Sequence, residues 1–189
     1  TLSMGYDVKE YGSWSQFNPK DNLSFTTDYE LLLSKGPFDI IVIFDVLDHI
    51  VNDTPVNLLS KAKSLLSDKG KIYMRTHPFI SRHGTHLYHE MNKAYIHLVF
   101  DKEELKELIP SPQYEEPSIN VTTPIMSYEK FIKEAGLQVL NRRDITEKVE
   151  PFFKIPKIAE RIIANTKMNF FPEYQMSLQF LDYVLVKAQ

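Results

Sequence analysis

Phe38-Asp39-Ile40-Ile41-Val42-Ile43-Phe44, then Thr54-Pro55 opening a stretch marked by Leu58, Leu59, Ala62, Leu65, Leu66 and Gly70, then Lys71-Ile72-Tyr73-Met74-Arg75: these residues decide the fold. The first run is short, β-branched and apolar, as in strands buried on both faces of a parallel sheet. Thr54 offers an N-cap with Pro55 at the first helical position, and the leucines recur at three- and four-residue spacing as far as Gly70, read as a helix stop. The strand pattern resumes at Lys71. Phe38 to Arg75 therefore has the length and order of one right-handed βαβ unit.

Outward from this unit the same signals recur. Asp101 with Glu104 forms a capping-box pattern for a helix from Asp101 to Ile109, ended by Pro110. Ser127 is expected to cap a helix carrying Tyr128, Phe131, Ile132 and Ala135, closed by Gly136 as a left-handed C-cap. Leu137 to Leu140 and Leu178 to Val186 read as strands, Pro156 to Ile163 and His86 to Leu98 as helices, and Tyr6 to Tyr11 and Leu23 to Phe25 as earlier strands. Leu2 to Gly5 resembles the last turn of a helix begun upstream. Alternating strand and helix signals predict an α/β layered fold with a mostly parallel sheet. We expect a single domain over residues 1–189, with a helical insertion on the substrate side at about 76–124.

At 189 residues the chain is long enough for one sizeable core and too short for two ordinary domains. With 22 Lys and Arg against 25 Asp and Glu, the net charge of −3 gives no general field for holding a nucleic-acid backbone. Cysteine is absent, which excludes disulfides, thiolate metal sites and a cysteine nucleophile and points to a reducing, cytoplasmic setting. The longest apolar run, Ile40 to Phe44, is far below the roughly 20 residues of a membrane-spanning helix, so no membrane association is expected.

Phe38-Asp39-Ile40-Ile41-Val42 with Asp45-Val46-Leu47-Asp48-His49-Ile50, Gly70-Lys71-Ile72-Tyr73-Met74, Tyr128-Glu129-Lys130-Phe131 with Glu134-Ala135-Gly136-Leu137, and Asp182-Tyr183-Val184-Leu185 together resemble the middle and C-terminal parts of class I S-adenosylmethionine-dependent methyltransferases. The resemblance implies a Rossmann-like three-layer α/β sandwich, mostly parallel, with an antiparallel C-terminal strand and without the first strand. It implies S-adenosylmethionine as cofactor, with Ile40 to Phe44 as the family's fourth strand and Asp45, Val46 and His49 just past its carboxyl end. In open α/β sheets ligands bind at that end. Asp28 stands where the family receives the adenine amino group, and Glu10 is the nearest acidic candidate for the ribose hydroxyls. The family's glycine-rich turn has no counterpart: the six glycines lie at least seven positions apart, so no G-x-G exists, and the turn is expected upstream of Thr1, the alternative being a chain that does not bind the cofactor in the usual way.

Methyl transfer asks the protein to align acceptor and methyl group and, for a hydroxyl or amine acceptor, to remove a proton. His77, past the Lys71 to Arg75 strand, is the candidate base, the alternative being a strand-end cap. Arg82 and His83 are candidate contacts to a polar or anionic acceptor, the alternative being a solvated loop. His83, His86 and His89 lack a full metal-ligand set, so no metal site is assigned. The expected acceptor is a small molecule, a sugar or a protein side chain rather than nucleic acid. A non-catalytic methyltransferase-like interaction module is the second reading. A central unit lacking its first strand would leave an edge open, so an oligomer or a second chain is expected to cover it.

Overall fold

The computed structural model describes residues 26–47, 50, 55–82, 84, 94–108 and 125–188. In chain order these form α1 (Tyr29–Lys35), β1 (Phe38–Phe44), α2 (Pro55–Leu65), β2 (Leu66–Thr76), α3 (Ile96–Val99), α4 (Lys102–Leu108), α5 (Ile125–Glu134), β3 (Leu137–Thr146), a 3-10 turn at Pro151–Lys154, α6 (Pro156–Thr166), α7 (Glu173–Ser177) and β4 (Leu178–Lys187). The fold is mixed α/β. The expected strands Tyr6 to Tyr11 and Leu23 to Phe25, the Thr54 cap and the start of the His86 helix lie outside the described residues.

The four strands form one sheet in the order β1-β2-β4-β3. β1 and β2 run parallel across the α2 crossover, while β4 is antiparallel to both β2 and β3. Three strands thus share a direction and the C-terminal strand opposes them, the pattern implied by the resemblance. Leu58, Leu59 and Ala62 of α2, Tyr128 and Ile132 of α5 and Ala135 just after it cover one face of this sheet. They pack against Ile43, Ile72, Met74, Leu181, Tyr183 and Leu185.

β1 departs from the expectation of burial on both faces. Ile41 and Ile43 point into the core, whereas Ile40, Val42 and Phe44 are 64%, 58% and 51% exposed, because the described helices pack on one face only. A second core lies beyond the carboxyl end of β2, where Ile80, Tyr95 and Leu98 meet Val149, Phe153, Ile162 and Met176.

Local details correct several expected boundaries. Gly70 is not a helix stop: α2 ends at Leu65, and Gly70 lies inside β2. Phe38 pairs with Leu66 and Ile40 with Lys71, so two steps along β1 answer to five along β2. A Cβ on Gly70 would stand 2.7 Å from Leu66 Cδ1 and 2.9 Å from the Phe38 carbonyl oxygen, so this irregular stretch needs a residue without a side chain. α5 begins at Ile125, which puts Ser127 inside the helix rather than at its cap. Gly136 does adopt the left-handed conformation, at φ 71°. The Asp101 capping box forms reciprocally: Glu104 N–H donates to Asp101 Oδ1 at 2.9 Å, and Asp101 N–H to Glu104 Oε2 at 2.9 Å.

Candidate functional site

β1 and β2 end side by side, and their carboxyl ends carry the candidate site. Past Phe44 the chain turns at Asp45, which adopts φ 53°, a left-handed conformation that Asp tolerates better than most residues. The Asp45 N–H donates to the Arg75 carbonyl at 3.0 Å, so the turn stays tied to β2. His77 follows β2 directly, and its Nε2 lies 3.6 Å from Asp45 Oδ1. The structure therefore brings together two residues that the sequence reading assigned separately. Val46 is half-buried and packs on the main core.

Behind this pair stands a cation between two aromatic rings. Arg75 donates from Nε to Asp182 Oδ1 at 2.7 Å and through its second terminal nitrogen to Oδ2 at 2.8 Å. Its guanidinium lies 4.7 Å from the Phe180 ring centroid and 5.6 Å from that of Phe44. The Phe180 ring also packs against His77 with centroids 4.3 Å apart. The Arg75 hydrogen bond holds the Asp182 carboxyl below its usual range, opposed in part by burial. The reciprocal bond raises Arg75. From the helical layer, the Tyr128 hydroxyl donates to the His77 carbonyl at 3.3 Å.

Other sequence candidates fall elsewhere. Asp28 caps α1, its Oδ1 accepting from Glu30 N–H at 3.0 Å and Leu31 N–H at 3.2 Å. Arg82 pairs with Glu150 ahead of the 3-10 turn. Its carbonyl accepts from Tyr95 N–H at 3.2 Å, tying this loop to the second core. Glu10, His49 and His83 lie outside the described residues, as do Asp48, His86 and His89.

Sequence reasoning missed Phe44, Phe180, Asp182 and Glu150 as neighbours of the candidate residues. The first three meet His77 or Arg75 through sheet register, in which Arg75 faces Asp182, and no local spacing encodes that pairing. Buried hydroxyls of Thr76 and Ser81, without hydrogen-bond partners, lie in the same stretch as His77. Among the described residues, no three His, Asp or Glu side chains gather in a way that would hold a metal, and no helix is long and apolar enough to cross a membrane.

No family model matches the chain, and no curated protein matches it. Among solved structures it is similar to a SAM-dependent methyltransferase from Archaeoglobus fulgidus, with 14% identity over 86% of this chain and 66% of that one and a TM-score of 0.45. A SAM-dependent methyltransferase from Anabaena variabilis shows 14% identity over 93% and 62% of the two chains, with a TM-score of 0.45. PKMT2 from Rickettsia typhi, solved in complex with AdoHcy, shows 14% identity over 82% and 37%, with a TM-score of 0.41. The chain spans from 37% to 66% of the length of these structures. Its similarity to solved structures is thus to SAM-dependent methyltransferases, over part of their length.

Proposed function

We propose that the chain acts in S-adenosylmethionine-dependent methyl transfer to a small molecule, a sugar or a protein side chain. One observation carries this reading: Asp45, His77, Arg75 and two aromatic rings converge at the carboxyl ends of two adjacent parallel strands, where open α/β sheets bind ligands. The cofactor is a sulfonium cation joined to an adenosine. The half-exposed Asp45 carboxylate and the exposed Phe44 ring suit such a cation. In this reading the turn at Asp45 and Val46 lines the cofactor side, and His77 faces the acceptor. The described glycines Gly36, Gly70, Gly84 and Gly136 stand far apart in the chain, so these residues supply no G-x-G cradle for the methionine end.

When bound, the cofactor supplies an activated methyl carbon; the protein's tasks are to align the acceptor and remove its proton. Calorimetric titration with S-adenosylmethionine and, separately, S-adenosylhomocysteine tests the proposal. Micromolar binding of both is expected, and absence of binding by either counts against it.

A second reading, a non-catalytic module that docks on another chain, draws on Ile40, Val42, Phe44 and Tyr73, an exposed apolar patch across β1 and β2. It predicts no cofactor affinity and, in light scattering, a species heavier than the 22.1 kDa chain. A compact monomer that binds the cofactor would remove it.

A further inference from the structure

From Pro151 to Lys157 the chain leaves the second core as a knuckle: six of these seven residues are exposed and only Phe153 turns inward. Phe153 is 7% exposed and packs edge-on to Tyr95 with ring centroids 4.8 Å apart, which fixes the base of the knuckle. The turn is of 3-10 type: Phe153 N–H donates to the Glu150 carbonyl at 3.1 Å and Ile155 N–H to that of Phe152 at 3.2 Å. Side chains three apart eclipse one another in such a turn, so Phe152 and Ile155 stand on one side, 57% and 47% exposed. Pro151 and Pro156, opening the turn and α6, restrict the backbone on both flanks. Lys154 pairs with Glu173 and so ties the knuckle to the segment that carries Phe170, 60% exposed, and the exposed Lys167. Lys157 is exposed at the start of α6. Between residues 151 and 159 there are two lysines and no acidic residue, in a chain of net charge −3. Of the neighbouring carboxylates, Glu173 is engaged by Lys154 and Glu150 by Arg82, while Glu160 follows on α6.

We propose that this knuckle docks the chain on an anionic phospholipid surface. A few exposed side chains fall far short of the roughly 800 Å² per partner that a stable protein interface covers, whereas a bilayer needs only shallow entry of apolar tips with cations beside them. Phe152 and Ile155 enter the boundary between headgroups and acyl chains, and Phe170 adds a third tip. Lys157 and Lys167 meet lipid phosphates with their ammonium groups while their stems lie along the apolar zone. The turn is built before contact, so little order is lost on docking. The expectation of no membrane association rests on the lack of a spanning segment, which a surface contact does not require. The assignment is independent of cofactor and acceptor.

The test is co-sedimentation of the full chain with vesicles of phosphatidylcholine alone and of phosphatidylcholine mixed with phosphatidylserine. Binding to the anionic vesicles only is expected, weakening as salt is added. Phe152→Ser combined with Ile155→Ser alters two exposed positions and is expected to weaken binding by at least about tenfold, and Lys157→Gln by about fivefold. Phe152→Trp, read against the unaltered chain to subtract Trp14, is expected to shift its emission to the blue on anionic vesicles and to be quenched by brominated lipid. Circular dichroism checks that each variant keeps its fold. Failure to sediment with anionic vesicles overturns the proposal, as does equal binding to neutral vesicles or undiminished binding by the double Ser variant. A species of twice 22.1 kDa in light scattering without lipid, returned to the monomer by the double substitution, assigns the knuckle to a second copy of the chain and likewise overturns it.

Discussion

Asp182→Asn is the substitution whose outcome the structure specifies most fully. The change keeps the size of the side chain but removes its charge, and it turns an acceptor oxygen into an NH2 group that faces the Arg75 donors. The wild-type pair makes two hydrogen bonds of 2.7 and 2.8 Å with side-chain exposures of 32% and 27% for Arg75 and Asp182, between the surface and buried extremes. Exposed pairs contribute at most about 1 kcal/mol, and breaking buried ones costs about 3–5 kcal/mol, so a loss of about 2 kcal/mol at neutral pH is expected. For a chain of this length that corresponds to a fall in Tm of about 4–8 °C. The pH dependence has a definite sign. Asp182 is held below its unfolded value by Arg75, so its contribution is full above that unfolded value, about 3.9, and is lost as pH falls through the lower folded one. Urea melts of both proteins are expected to differ by the same amount at pH 7 and pH 5 and to converge in stronger acid. Equal stability at neutral pH, or a difference that persists unchanged into strong acid, would refute the reasoning.

Two further substitutions probe local geometry. Gly136→Ala places a side chain at φ 71° and within 2.6 Å of Lys63 Nζ, a flexible chain end that can move aside; the backbone conformation then sets a cost of about 1–2 kcal/mol, read by denaturant unfolding. Thr76→Val removes a fully buried hydroxyl without a hydrogen-bond partner, so unfolding in urea is expected to show a gain of about 1 kcal/mol, and a loss of stability would show that the hydroxyl is satisfied in solution.

The parts of the fold that sequence made legible are those written in local patterns. The β1 boundaries, the Pro55 start of α2, the Asp101 capping box and the Gly136 C-cap each depend on neighbours within a few residues, and each stands where the pattern placed it. Strand lengths were less legible. β3 runs to Thr146 rather than Leu140 because its polar second half, Asn141 to Thr146, is sustained by pairing with β4, not by apolar alternation. Gly70 was misread because the same residue ends helices and permits close approach of chains; only the position of Phe38 and Leu66 separates the two uses.

At the candidate site, sequence singles out Asp45 and His77 by their places after strands but does not show their meeting. That meeting depends on β1 and β2 lying parallel and in one particular register. The aromatic and acidic support from Phe180 and Asp182 comes from a strand more than a hundred positions along the chain. Arg82 reads from sequence as either a ligand contact or part of a solvated loop, whereas the structure engages it with Glu150. Such long-range pairs leave no periodic trace.

The irregular pairing at the beginning of the sheet governs what happens at its end. Since Leu66 answers Phe38 and Lys71 answers Ile40, the residues between them absorb the mismatch in chain length and bring Phe44 opposite Arg75. A slip of one residue would turn every following side chain to the opposite face, sending His77 toward the helices and leaving Asp45 beside a different neighbour. The stretch from Ser67 to Gly70 thus works as a spacer that sets the phase of a site about 23 Å away along the strand. Adding or deleting one residue there would disable that site without touching any atom in it.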